Sequence, residues 1–319
     1  MARKQLDESF LQRPQESLDT WRRGEMTLEA GLDSLNELKR QVPEAEKLSY
    51  LGQIELYAGI FCGYTGKLDQ SAKHFEAAAR YFRQNHDESR LIGCELNLGE
   101  TYRLMGNYTQ AIRAFRISLE LSTKEDILNS QALSLANEAI IHVETGNYKQ
   151  ARNNLTRAIE LTSQPWGTPE VNPLRRLSSK CEMHYTFGVL EIQEGNIEAA
   201  WEQAKQTLEI AHAVNEPLRF GQANAVIAQV ICAYGHAPEE PYEDKPDAYF
   251  KQAIANYEKI KSERELANIH LIYGNSLASR DENDNAREQY NQAMAIFARL
   301  GLPKLAAQAA EARALLGRR

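Results

Sequence analysis

No run of about 18 apolar residues occurs in this 319-residue chain, so no segment reads as a membrane-spanning helix. The charged start around Arg3 and Lys4 has no apolar stretch behind it, so no secretory leader is expected. Basic residues are fewer than acidic ones, 37 against 44, giving a net charge of −7. Nonspecific nucleic-acid binding needs a basic footprint and is not expected here. Cysteine is scarce: Cys62, Cys94, Cys181 and Cys232 lie far apart. That spacing offers neither a disulfide framework nor paired zinc ligands, and the four read as reduced core thiols of a cytoplasmic protein. Gly-rich phosphate loops, His-Glu metalloprotease helices and nucleophile elbows are absent too. Cys181 and His184, at i and i+3, could supply two metal ligands, but no second pair completes a site. The chain is therefore expected not to be an enzyme and to hold neither metal nor cofactor.

What the sequence has instead is a period. Leu98, Gly99 and Tyr102 lie on one helical face, Gly106 interrupts, and Tyr108, Ala111, Ile112, Phe115 and Leu119 resume at helical spacing. This predicts two amphipathic helices joined by a tight turn. Gly66, Gly106 and Gly146 follow one another at intervals of 40, and Gly59, Gly99 and Ala139 precede them by seven each. Gly188 with Gly195, and Ala228 with Gly235, repeat the seven-residue step. Small residues belong where helices approach closely, and large ones such as Tyr102 and Phe115 where they interlock. A fixed period with small and large residues at fixed offsets marks an array of helical hairpins.

The stretch Leu98 to Phe115 reads L-G-x-x-Y-x-x-x-G-N-Y-x-x-A-I-x-x-F and resembles a tetratricopeptide repeat. The usual period of that family is about 34 residues. The longer step here is similar to the long-helix repeats of kinesin light chains, Leu-Gly-Asn scaffolds and maltose-activator-type regulators. The resemblance covers roughly residues 47–300. It implies an all-α, right-handed superhelical solenoid whose first helices line a concave, peptide-binding groove.

In chain order, residues 1–14 are expected to be disordered and 15–319 to form one solenoid domain of about seven hairpins. The hairpins fall near 15–43, 47–86, 89–124, 126–163, 174–213, 217–261 and 264–300, with a capping helix over 303–319. Trp21 is expected to pack on the next repeat. The period slips between Gly146 and Gly195, where Pro165, Pro169 and Pro173 forbid a helix in a connection that carries Trp166. Residues 236–246 delay the second helix of the sixth hairpin. Their polar composition and three prolines predict a mobile, dispensable insert.

Counting from the small residue of each first helix, the groove-facing candidates are Asn97, Glu100 and Arg103, with Tyr57, Tyr64, Asn137, Thr186, Gln193, Val226, Gln229 and Asn275. Asn97 and Asn137 occupy one place in consecutive repeats, and a carboxamide can hold both the N–H and the C=O of an extended peptide. In tetratricopeptide domains Asn at this place often contacts bound peptide, so the resemblance supports that reading. Glu100 and Arg103 can instead pair with each other at i, i+3. The function expected is a non-catalytic adaptor or scaffold whose partner is a protein or peptide segment, with no nucleic acid and no membrane. The alternative is a regulatory sensor of a ligand or signalling peptide. A metal-dependent enzyme has the least support.

Overall fold

A computed structural model of the protein describes residues 8–22, 25–42, 47–163 and 173–317. These form fifteen helices, with no strand among the described residues. The all-α expectation is met. The helices fall in two compact units, Met1–Ser130 and Gln131–Arg319, where the sequence analysis expects a single array.

Unit 1 contains α1 (Glu8–Arg22), α2 (Leu28–Gln41), α3 (Lys47–Tyr64), α4 (Leu68–Gln84), α5 (Glu88–Leu104) and α6 (Tyr108–Lys124). α1 reaches into the stretch expected to be disordered and carries Pro14 inside it. Leu18 of α1 and Leu35 of α2 are almost fully buried and pack with Ile54 and Phe61 of α3, which holds this first pair in place. Unit 2 contains α7 (Leu128–Glu144) apart from its first residues, α8 (Tyr148–Ser163), α9 (Pro173–Glu194), α10 (Ile197–Val214) and α11 (Pro217–Tyr234). It continues with α12 (Pro246–Lys259), α13 (Glu263–Ser279), α14 (Asn283–Arg299) and α15 (Pro303–Ala314). The side chain of Trp21 and the connection around Trp166 lie outside the described residues.

The turns within hairpins follow from glycine. Gly66, Gly106, Gly146 and Gly195 have φ of 70, 72, 74 and 77°, a left-handed backbone that costs glycine no steric clash. The next residue then closes the helix with a six-to-one hydrogen bond: Asn107 N–H donates to the Tyr102 carbonyl and Asn147 N–H to the His142 carbonyl, both at 2.8 Å.

Packing inside hairpins follows the predicted pairing of small with large. A methyl group placed on Gly59, Gly99 or Gly274 would lie 2.7, 2.4 or 2.7 Å from the ring of Phe75, Phe115 or Tyr290, respectively. In these three hairpins the ring sits in the space left by a missing Cβ. In both units the first helices of successive hairpins also touch, α3 with α5, α9 with α11 and α11 with α13, so they form a layer of their own. All four cysteines are free, and Cys62, Cys94 and Cys181 are buried, as expected of core thiols.

Segment 236–246 departs from its expectation. Tyr242 stands edge-on to Trp201 of α10, ring centroids 4.6 Å apart. Ala237 N–H donates to Asp244 Oδ1 at 2.7 Å, and Glu243 N–H to the Tyr249 hydroxyl at 3.0 Å. An insert with an aromatic anchor and a bonded backbone is docked, however polar its composition.

Candidate functional site

On α5, Asn97, Glu100 and Arg103 share one face, three residues apart. Asn97 is exposed, and its Nδ2 donates to the Gly93 carbonyl one turn back at 2.8 Å. That bond fixes the amide plane and leaves the second amide hydrogen and the oxygen for other partners. Arg103 donates through Nε and Nη2 to the two carboxylate oxygens of Glu100, both at 2.8 Å. The pairing foreseen as an alternative is thus formed, as a two-pronged fork. On α3, Tyr64 is 54% exposed, whereas Tyr57 is half-buried and donates its hydroxyl hydrogen to Gln15 of α1.

In unit 2, Gln193 on α9 and Asn275 on α13 are exposed. Gln229 on α11 is half-buried and donates to the Ala225 carbonyl at 3.1 Å. Asn275 Oδ1 accepts from the Tyr290 hydroxyl at 2.8 Å. Asn137 on α7 is half-buried. Two assignments to an open groove do not survive. Thr186 is buried and donates to the Glu182 carbonyl at 2.9 Å, so its hydroxyl is spent within its own helix. Val226 is fully buried because Gly188 opposite lets it come close, its Cγ2 lying 2.8 Å from where a glycine Cβ would stand.

Cys181 and His184 are packing residues. The thiol donates to the Thr207 carbonyl at 3.4 Å, and His184 Nδ1 bonds Gln203 Oε1 at 2.8 Å. Among the described residues no three His, Cys, Asp or Glu side chains gather as metal ligands. Nor, among those residues, is any helix long and apolar enough to cross a membrane.

Sequence reasoning passes over Arg219, which is buried on α11. Its guanidinium donates to Ser178 Oγ and Gln222 Oε1, both at 2.7 Å, and pairs with Glu182 at 3.3 Å, tying α11 to α9. The available signal is an arginine one turn ahead of 223–232, a stretch apolar except for Asn224 and Gln229.

This geometry defines a helical-hairpin repeat protein. Residues 94–164 match the tetratricopeptide repeat family model, which bears out the resemblance read from Leu98 to Phe115. A search of curated protein sequences finds no match. Among solved structures, the apo form of RapI is similar at a TM-score of 0.71 and 15% identity, over 92% of this chain and 98% of that one. The Rap conjugation gene regulator of plasmid pLS20, in complex with the Phr* peptide, is similar at 0.58 and 12%, over 97% and 96%. Aspartyl phosphate phosphatase F from Bacillus subtilis is similar at 0.50 and 15%, over 99% and 82%. At these identities the likeness establishes a shared fold.

Proposed function

We propose that this chain is a non-catalytic, cytoplasmic adaptor that binds a protein or peptide segment through the exposed faces of its first helices. The single observation behind this reading is the α5 face. It presents an exposed, oriented carboxamide at Asn97 beside the Glu100–Arg103 fork, on a layer of first helices. An oriented carboxamide suits main-chain recognition, and a charged fork beside it can select among side chains. Gln193, Gln229 and Asn275 offer amides on the corresponding layer of unit 2.

The second reading, a regulator that responds to a signalling peptide, has support of its own. A gene regulator of the same fold has a structure in complex with a peptide, and the likeness spans nearly the whole of this chain. Both readings share the peptide-binding step, so one experiment addresses it. A random peptide library is panned on the immobilised chain, and enriched peptides are titrated by fluorescence polarisation. Asn97→Ala should weaken them about 5- to 30-fold, the loss of one or two main-chain hydrogen bonds at roughly 1 kcal/mol each. Failure to enrich any peptide, or equal affinity in Asn97→Ala, Gln193→Ala and Asn275→Ala, refutes the assignment.

A further inference from the structure

Within unit 1, α4, α5 and α6 line an open cavity of about 280 Å³. Its origin is visible in the repeat. Glu55 and Glu95 stand at the same place, four residues before Gly59 and Gly99, and both are buried, 5% and 1% exposed. Glu55 has two cationic partners, Lys39 Nζ at 2.5 Å and His74 Nδ1 at 2.6 Å. His74 lies 19 residues further on, across the hairpin. The same 19-residue cross-hairpin bond recurs in unit 2, as His184 to Gln203 at 2.8 Å and His270 to Gln289 at 2.7 Å. Nineteen residues after Glu95 stands Ala114, which has no polar atom to offer, and Ala114 lines the cavity. The cavity is the room a polar side chain occupies in the preceding repeat.

The charges around it are unbalanced in a specific way. Glu95 keeps its ion pair with Arg83 and feels the charge of Arg113 across the hairpin, but has no hydrogen bond there. Burial holds its carboxyl above the usual range despite Arg83 and Arg113, whereas the His74 and Lys39 bonds outweigh burial and hold Glu55 below it. On the opposite side of the balance, Arg80 and Arg113 also line the cavity and are exposed. Neither forms an ion pair or hydrogen bond among the described residues. Glu76, the other acid of the lining, accepts from the Tyr102 hydroxyl at 2.5 Å. The cavity thus joins a buried carboxylate whose one hydrogen-bonding partner is Arg83, two guanidinium groups with no hydrogen bond of their own among the described residues, and an apolar floor that includes Leu98, Ala114 and Ile117. A simple anion would leave Glu95 as it is, and a simple cation would face three arginines.

We propose that this cavity is a binding site for a free α-amino acid with an apolar side chain, bound as the zwitterion. Its ammonium donates to Glu95 from the position His74 holds beside Glu55. Its carboxylate lies on Arg80 and Arg113, and its side chain covers the apolar floor. The volume falls just below the roughly 300–1,000 Å³ of sites for drug-sized ligands, in keeping with a smaller guest. The site is separate from the peptide face. Glu95, Leu98 and Tyr102 fall on one side of α5, while Asn97 and Glu100 each lie two residues on, about 200° round the helix.

The test is calorimetric titration of the full chain with L-alanine, L-valine, L-leucine and L-phenylalanine, then with two analogues of the best binder. The amide lacks the carboxylate and mimics a peptide N-terminus, and the N-acetyl acid lacks the ammonium and mimics a C-terminus. The free amino acid should bind, and each analogue should bind roughly tenfold or more weakly, the loss of one charged hydrogen bond. Glu95→Gln, which keeps the shape, should weaken binding by a similar factor. Ala114→His, which installs the imidazole of the preceding repeat, should abolish it. Asn97→Ala should leave it unchanged, which separates this site from the peptide-binding reading. No binding of any of the four amino acids below about 10 mM, weaker than any useful site, overturns the proposal. So does an analogue that binds as well as the amino acid, or full affinity in Glu95→Gln.

Discussion

Two glycines six residues apart on α5 should respond in opposite directions to the same substitution. At Gly99 a Cβ would lie 2.4, 2.6 and 2.9 Å from Cε1, Cδ1 and Cζ of Phe115, whose ring is fully buried. Carbon atoms rest comfortably at about 3.5–4.0 Å, so the ring would have to move by an ångström into a packed core. Such overpacking costs about 1–3 kcal/mol. Alanine returns about 0.8–1.0 kcal/mol through its better helix propensity, leaving Gly99→Ala destabilised by about 1 kcal/mol. At Gly93 nothing lies within 4 Å of the added Cβ, so Gly93→Ala keeps the propensity gain and should stabilise the protein by up to about 1 kcal/mol. The propensity contribution is common to both variants. Their difference in stability therefore reads the Phe115 contact alone, about 1–3 kcal/mol. At roughly 2–4 °C per kcal/mol they should melt about 2–12 °C apart, with the wild type between them, when helical ellipticity is followed on heating. Phe115→Leu should cost less in the Gly99→Ala background than alone, because the two sites share one contact. Gly99→Ala melting at or above Gly93→Ala would refute the close approach of α5 and α6 at this point.

Two further outcomes are expected. The bonds of His74 to the Cys62 thiol and the Glu55 carboxylate raise its imidazole to about 9, above its ordinary 6.5. A group raised on folding stabilises fully below the unfolded value and loses that contribution as pH rises through the folded one. Urea stability should therefore fall between pH 6.5 and 9, and His74→Gln should flatten that slope; identical slopes would sink the assignment. Tyr242→Ala removes the ring set against Trp201, so limited proteolysis should cut segment 236–246 sooner than in the wild type while the helical melting curve is retained. Equal cutting of both proteins would mean that Tyr242 does not anchor the insert.

The hairpins were legible in the sequence because each rests on a local pattern with a fixed offset. Gly106 announces a left-handed turn and Gly99 a close approach, and the ring that fills that approach follows 16 residues later in three repeats. What escaped depends on contacts that no offset encodes. The polar, proline-bearing stretch 236–246 reads as mobile by composition, yet Tyr242, Asp244 and Tyr249 hold it down. Helix α1 begins before Pro14 because Leu18 and its neighbours find an apolar surface on α2 and α3, and tertiary burial outweighs the local proline signal. Among the groove candidates, helical register gave the face of Asn97 and Glu100 but could not show that Val226 turns toward Gly188.

The residue four places before each small position shows how one fold can carry different chemistry in each repeat. Glu55, Glu95, Leu135, His184, Asn224 and His270 occupy it in turn. Leu135 needs no polar partner, and the others do, because a buried polar group without one costs more than a neutral hydrogen bond gains. All five find one, Glu95 in Arg83 of the preceding hairpin. Glu55 meets His74, His184 meets Gln203, His270 meets Gln289, and Asn224 donates to the Phe220 carbonyl of its own helix at 2.8 Å. Only Glu95 has its cross-hairpin neighbour shortened to alanine. An apolar residue at position 95, such as Leu135 in the next repeat, would leave no buried charge to satisfy. Keeping a buried carboxylate without a cross-hairpin hydrogen bond costs stability at that point, and a cost of this kind is offset when a ligand supplies a donor there.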